Sequence, residues 1–296
     1  MPASLILVVT LLLGFLVSGC RTPSCCAQSQ PPKRVLVVTT TTGFRHSSIE
    51  TAERVIARLG AQSGSFTVDY ARVSPNAPEL KGADGQQDKA KYEAAVQAVL
   101  AEKLSVTALQ NYDAVIFANT TGDLPIPDLA GFLAWIRAGK AFVGMHAAAD
   151  TFHGFPAFIE MLGGEFKTHG RQVSVEAINL NPACAACRHL PPTWTVFDEI
   201  YQFKNYDRDK VRDLLSLDKH PNDKTPGHYP VAWAKLYGKG RVFYTSLGHR
   251  EDVWEPNSPA QPGGIKNAPV VAEAYQKHIL GGIQWALGLA PCDLQN

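Results

Sequence analysis

The sequence predicts an α/β protein built on one doubly wound, mostly parallel β-sheet. Apolar runs rich in β-branched residues are typical of strands buried on both faces, and they occur at residues 34–39, 113–118 and 141–145. Segments with a helical period lie between these runs, and such strand–helix alternation is typical of parallel sheets. The 296-residue chain contains no internal repeat, heptad pattern or second linker, so we predict a single domain.

The first half of the predicted domain follows this order closely. After the strand at 34–39 comes a Gly-containing loop, and residues 47–50 fit a capping box at the start of a helix. A second strand is predicted at 66–71, and a helical period extends over 89–103. After the strand at 113–118, Pro127 fits the first turn of a helix over 128–137.

The second half has a different pattern, with shorter strands and fewer helices. We predict strands at residues 173–179, 211–217, 231–236 and 241–245. The last two flank Gly238-Lys239-Gly240 and form a predicted hairpin, added to the parallel sheet. A long amphipathic helix over 270–287 completes the domain.

Composition narrows the range of possible functions. Hydrophobic residues make up 45% of the chain and charged residues 19%, which is enough apolar material for a large core. The formal net charge is only +1, from 28 basic and 27 acidic side chains. This balance gives no reason to expect a nucleic acid as partner.

The N-terminal segment has the features of an export signal. Residues 5–17 form an apolar run that is too short for an ordinary membrane-spanning helix. The next residues, Ser18-Gly19-Cys20, resemble a bacterial lipobox, although no Lys or Arg precedes the run. We predict a signal peptide over residues 1–27, a linker over 28–33 and a folded domain over 34–290. The protein would then be exported, either periplasmic or tethered to the membrane through a lipid on Cys20. The alternatives are ordinary cleavage near Ala27 and an uncleaved anchor.

Three of the six cysteines, Cys184, Cys187 and Cys292, belong to the body of the chain after the predicted signal peptide. Cys184-Ala-Ala-Cys187 resembles a redox or zinc pair, but no second CxxC accompanies it. In an exported protein a local disulfide between Cys184 and Cys187 is the better interpretation. It would close a short loop and contribute modest stability.

Polar residues follow several predicted strands directly. His146 comes immediately after the buried run at 141–145, and open α/β sheets bind their ligands at the carboxyl ends of strands. We therefore predict an active or binding site at this edge of the sheet. Its candidate residues are His46, His146, Asp150, His153, His169, Glu199 and His249.

Six segments form an ordered set that extends over nearly the whole predicted domain. They are Thr42-Gly-Phe-Arg-His-Ser47, Gly144-Met-His-Ala-Ala-Ala-Asp150, Gly163-Gly-Glu-Phe-Lys-Thr-His169, Asp198-Glu-Ile-Tyr201, Tyr229-Pro-Val-Ala-Trp233 and Tyr237-Gly-Lys-Gly-Arg-Val-Phe-Tyr-Thr-Ser-Leu-Gly-His249. This set resembles the ThuA-like, or trehalose-utilisation, family, and the order and number of the segments make the resemblance specific.

The resemblance implies a flavodoxin-like sheet of the class I glutamine amidotransferase type. In amidotransferases of that fold a nucleophilic cysteine stands at the elbow after the central strand. Here the matching position is His146, and no cysteine lies between Cys26 and Cys184. The amidotransferase reaction needs a thiolate paired with a base, so we do not expect this chain to perform it.

Two kinds of chemistry fit the candidate residues. The first is a divalent metal site, such as a zinc site, with His46, His146 and His169 as ligands, since neutral imidazole suits Zn²⁺. The second is metal-free acid–base catalysis, with His146 or His46 as base and Glu199 or Asp150 as partner. His153, His249 and Trp254 are candidates to bind substrate, Trp254 by stacking on a sugar ring, and so is His169 where it does not hold a metal.

The family resemblance implies a small carbohydrate as substrate. We expect a di- or oligosaccharide or a keto-glycoside, and a hydrolase or isomerase reaction. The alternative is a non-catalytic carbohydrate-binding or scaffold module that kept the fold without the chemistry.

Overall fold

A nine-stranded β-sheet forms the centre of the computed structural model, which describes residues 1–2, 31–258 and 263–294. The strands are β1 (Lys33–Val38), β2 (Phe66–Ala71), β3 (Ala114–Ala118), β4 (Ala141–Met145), β5 (Glu165–His169), β6 (Val173–Asn179), β7 (Thr193–Asp198), β8 (Tyr201–Lys204), β9 (Arg212–Lys219), β10 (Pro226–Tyr237) and β11 (Gly240–Thr245). The α-helices are α1 (Ile49–Ser63), α2 (Lys89–Lys103), α3 (Val106–Leu109), α4 (Leu129–Arg137), α5 (Pro156–Leu162), α6 (Glu251–Trp254) and α7 (Pro269–Ala286).

The predicted signal peptide and lipobox at Cys20 lie outside the described residues. The predicted domain, in contrast, is described almost completely. Among the residues described, no helix has both the length and the apolar character needed to cross a membrane.

The sheet joins a parallel half to an antiparallel half in the order β2-β1-β3-β4-β11-β10-β9-β6-β7. Its first five strands are all parallel and follow the flavodoxin-like order. This confirms the predicted fold class. The predicted hairpin also forms, as β10 and β11, and its second strand completes the parallel half beside β4. Strands β5 and β8 pair separately as a two-stranded sheet.

Helices cover both faces of the parallel half, as a doubly wound sheet requires. On one face Val35 and Val37 of β1 pack in a core with α1 and α7. On the other face Leu36 and Val38 pack in a core with α2, α4 and α5. Because successive side chains of a strand point to opposite faces, the unbroken apolar run of β1 supplies both cores.

Two predicted helix starts differ from the structure by one or two residues. Helix α1 begins after Ser48 rather than Ser47, and the Ser48 hydroxyl makes no capping bond. It donates instead to the carbonyl of Gly248, at 3.0 Å. Helix α4 is capped by Asp128, whose carboxylate accepts from the amide of Gly131, so Pro127 precedes the helix.

The predicted disulfide between Cys184 and Cys187 is wrong, because Cys184 pairs with Cys292. After α7 the chain runs back along the turn that contains Cys184. There the amide of Ala185 donates to the carbonyl of Pro291, at 3.0 Å. The thiol of Cys187 is buried and free, and burial raises its pKa to about 12.

The disulfide should contribute substantially to stability, because its two cysteines are 108 residues apart in sequence. A loop of about 100 residues gives up to roughly 4.7 kcal/mol on chain-entropy grounds, and measured values are typically about 2–4 kcal/mol. We expect the double variant Cys184→Ala/Cys292→Ala to lose about 2–4 kcal/mol of unfolding free energy in urea titrations. Dithiothreitol should destabilise the unmutated protein and leave the double variant unchanged. Peptide mapping that finds Cys184 joined to Cys187 would contradict the pairing.

Candidate functional site

His146 occupies a sharp elbow between β4 and the 3₁₀ turn His146–Asp150. Its φ of 45° lies in the left-handed region, which non-glycine residues adopt at a cost in free energy. Its Nδ1 donates to the carbonyl of Ser246, at 2.7 Å, and its own carbonyl accepts from the hydroxyl of Tyr244. Because Nδ1 carries the proton, Nε2 presents its lone pair to the site.

Three further side chains surround this nitrogen, each from a loop that follows a different strand. His46 follows β1, Glu199 follows β7 and His249 follows β11. One ligand-capable atom from each of the four residues lies within 4.8 Å of the other three. We call these four residues the His₃Glu cluster.

The distances within the His₃Glu cluster fit a tetrahedral metal site. His249 Nδ1 lies 3.3 Å from His146 Nε2 and 3.3 Å from Glu199 Oε1, and His146 Nε2 lies 3.8 Å from Glu199 Oε1. One ring nitrogen of His46 lies within 4.8 Å of each of these three atoms. Ligands at the usual zinc distances stand about 3.3 Å apart at the corners of a tetrahedron. Nδ1 of His46 is buried and has no hydrogen-bond partner in the described part of the chain. The residues present therefore fit a divalent ion such as zinc.

Burial keeps two of the imidazoles neutral, which is the form that binds metals. Desolvation, and after it the charges of His249 and His169, lowers the pKa of His46 to about 3. The same causes, with His46 among the charges, lower the pKa of His146 well below its ordinary value. Burial also disfavours charge on His249, but its bond to Glu199 and the charges of Asp198 and Glu251 outweigh this and raise its pKa.

Asp198 fixes the backbone on both sides of His249 and at the amide of Glu199. It is fully buried, its Oδ1 accepts from the amides of Glu199 and Arg250, and its Oδ2 accepts from the amide of Gly248. Burial raises the pKa of Asp198 to about 6, against the opposing effect of these bonds. No local pattern predicts this role, since an Asp beside a Glu is also common in a surface turn.

The carbonyl of Gly248 completes this bracing. It accepts from the hydroxyl of Ser48 at 3.0 Å, from Nδ2 of Asn119 at 3.1 Å and from Nε1 of Trp254 at 2.8 Å. Gly248 has a φ of 119°, which side-chain-bearing residues rarely adopt. Gly248, the residue before His249, is thus held at both its N–H and its C=O.

Asp150 and His153 form a separate group beside the cluster. His153 Nε2 bonds Asp150, and its Nδ1 lies 3.0 Å from Oε1 of Glu165. Glu165 is buried and also accepts from the amide of Gly154 and from Lys204. Burial opposes charge on both His153 and Glu165, yet these bonds raise the pKa of His153 and lower that of Glu165 to about 2. Glu165 was not among the residues predicted from sequence for the site.

His169 and Trp254 are placed differently from the sequence prediction. His169 lies at the rim with 44% of its side chain exposed, and its Nδ1 contacts Glu199 Oε2 at 3.0 Å. The structure therefore groups Glu199 and His249, rather than His169, with His46 and His146. Trp254 is completely buried, so it offers no surface on which a sugar could stack.

Solved structures share the fold of this chain at low sequence identity. A ThuA-like protein from Parabacteroides merdae is 19% identical with a TM-score of 0.62, over 89% of this chain and 98% of that one. A ThuA-like protein from Bacteroides uniformis is 18% identical with a TM-score of 0.61, over 90% and 95% of the two chains. A cytoplasmic protein from Salmonella typhimurium is 12% identical with a TM-score of 0.51, over 86% and 98%.

Among curated proteins, none matches the chain. The family model described as trehalose utilisation matches residues 34–286. Since this match covers most of the sequence and nearly the whole folded domain, the protein belongs to the ThuA, or trehalose-utilisation, family.

Proposed function

We propose that this ThuA-family protein binds one divalent metal ion, zinc being the best fit, and acts on di- or oligosaccharides or keto-glycosides. The convergence of the His₃Glu cluster from four separate loops carries the metal part of the proposal. The carbohydrate part rests on the family, whose description is consistent with a carbohydrate-related role.

The residues of the site divide into ligands and rim groups under this proposal. A bound divalent ion would polarise a substrate carbonyl or acidify a water molecule. His46, His146, Glu199 and His249 would hold it, so the buried imidazoles are not free to act as bases. At the rim, His169 donates from Nδ1 to the carbonyl of Gly170, at 2.9 Å, which leaves Nε2 able to accept a proton from a substrate hydroxyl.

Amidotransferase chemistry has no support in the site. The elbow position holds an imidazole, and no thiol of the described residues stands near it. Cys184 and Cys292 are joined, and the remaining thiol of Cys187 lies in the core against the carbonyl of Leu214. Without a thiolate at the elbow, the acyl-enzyme step of that reaction has no nucleophile.

A non-catalytic role is the second candidate, because the His₃Glu cluster is nearly closed. The side chain of His249 is 16% exposed, that of Glu199 10% and that of His146 fully buried. Four protein ligands are typical of structural zinc sites, whereas catalytic sites keep a position open for water or substrate. Turnover therefore has to be tested separately from metal binding.

Metal binding should depend on the cluster residues and not on His169. We expect the purified protein to hold about one zinc ion per chain, and His146→Ala and His249→Ala to lose it. Mutation of a residue that only orients a metal ligand typically lowers metal affinity by about 10–100-fold. Removal of a ligand itself should therefore lower the affinity by more than that. Elemental analysis and competition with a chromophoric chelator measure both quantities.

His169→Ala and His153→Ala are the matched controls for the metal test. Both side chains are 44% exposed, and neither is a cluster member. Both variants should keep the metal. Loss of zinc in His169→Ala with retention in His249→Ala would contradict the assignment, and so would a metal-free unmutated protein purified without chelators.

Turnover should distinguish the enzyme from the binding module. We expect the zinc-loaded protein to hydrolyse or isomerise trehalose, keto-trehalose or a related glycoside, and His169→Ala to lower kcat while zinc content stays constant. A general base contributes roughly 10²–10⁴-fold, so the loss should be at least about a hundredfold. Products can be followed by NMR. Binding of these sugars without any product formation would favour the non-catalytic role.

Export is also part of the proposal, on the basis of the apolar run at residues 5–17 and the Cys20 motif. We expect the protein in the membrane fraction of a bacterial host, and Cys20→Ser in the soluble fraction. Intact-mass measurement should show a lipid on Cys20. An unprocessed N-terminus on protein recovered from the cytoplasm would contradict export.

A further inference from the structure

Phe44 exposes an aromatic side chain to solvent next to the His₃Glu cluster. The residue is 68% exposed, and its ring packs edge-on against that of His46, with the centroids 4.9 Å apart. One part of the ring therefore contacts a cluster histidine, while most of it faces outward. Full burial of a Phe side chain stabilises a folded protein by about 1.5–3 kcal/mol relative to exposure, and the exposed Phe44 lacks much of this stabilisation.

The exposure of Phe44 does not come from a loose loop. Its carbonyl accepts from the hydroxyl of Thr121, at 2.7 Å, and the amide of Thr42 donates to the carbonyl of Thr121, at 3.0 Å. Gly43 packs so closely that an added Cβ would lie 3.0 Å from the same hydroxyl. The loop after β1 is thus fastened to the loop after β3, and the fold presents the Phe44 ring in a fixed place.

The other large aromatic side chains near the cluster are less exposed than Phe44. All five tryptophans are buried, and Tyr201, whose ring lies 4.3 Å from that of His146, is only 3% exposed. Phe155 is partly exposed at 39%, but its ring contacts Phe152 and no cluster residue. Within the described chain, Phe44 therefore combines an exposed aromatic face with direct contact to the cluster.

We propose that Phe44 is the stacking platform for the apolar face of a pyranose ring bound at the His₃Glu cluster. This inference rests on the proposed function and names the ligand class more closely. A pyranose presents C–H groups on one face and hydroxyls around its edge. An aromatic ring can therefore cover the C–H face while the hydroxyls remain free to bond polar groups. Phe has no hydrogen-bonding group, so the platform selects cyclic sugars over open-chain polyols.

The test is binding of trehalose by the zinc-loaded, purified protein, with sorbitol as the open-chain comparison. Saturation-transfer NMR should show strong transfer to the C–H protons of one ring face. Phe44→Ala should weaken trehalose binding about tenfold, which corresponds to about 1.4 kcal/mol, and Phe44→Tyr should restore it. Sorbitol should show weak transfer that Phe44→Ala does not change.

Leu236→Ala is the matched control. Leu236 is exposed at 57% and pairs with Arg241, at the end of β11 away from His249. This variant should bind trehalose like the unmutated protein. Binding within twofold in Phe44→Ala, or failure of Phe44→Tyr to restore it, would overturn the platform.

Failure of the platform and failure of the metal proposal give different results. A protein that holds zinc but transfers no saturation to trehalose overturns the platform and leaves the metal site standing. A protein without zinc, in which Phe44→Ala still abolishes the transfer, overturns the metal site and supports the platform.

Discussion

The hydrogen bond from His146 Nδ1 to the Ser246 carbonyl is the interaction on which the site depends. It joins the ends of β4 and β11, which are neighbours in the sheet only because the chain returns from the antiparallel half to complete the parallel half. The bond also selects the tautomer of His146 and so directs Nε2 at His249 and Glu199. Sheet topology and ligand chemistry are therefore coupled at one carbonyl group.

The cluster brings together three imidazoles that would repel one another if all were charged. Burial keeps His46 and His146 neutral, and the one imidazole whose pKa is raised, His249, has Glu199 as its partner. Asp198 holds the backbone of these loops in place by accepting hydrogen bonds from three amides. The same bonds satisfy these three N–H groups, so none of them is left as an unpaired buried donor. A divalent ion would replace these marginal contacts with a strong common attraction, which is a physical reason for the donors to be held so close together.

The fold, and the gathering of candidate polar residues at one edge of the sheet, could be predicted from sequence because both follow from local pattern. Buried strands have their own composition, and the polar residues directly after them gather at one edge. The contacts and burial of the individual residues depend instead on neighbours that are far away in sequence. The bond between His153 and Glu165, the burial of Trp254 and the pairing of Cys184 with Cys292 are set by tertiary packing. Spacing in the sequence carried no information about any of the three.

Exposure, rather than residue type, separates the roles around the cluster. The donors of the His₃Glu cluster are largely buried, whereas His169 and Phe44 reach solvent, the first in contact with Glu199 and the second packed on His46. Under the proposed function, a substrate would contact these two side chains at the rim of the cluster. Since one would accept a proton and the other offers an apolar face, together they suit a ligand with both characters on one ring. That combination agrees with a sugar more closely than with an amide or a phosphate, which offer no comparable apolar face.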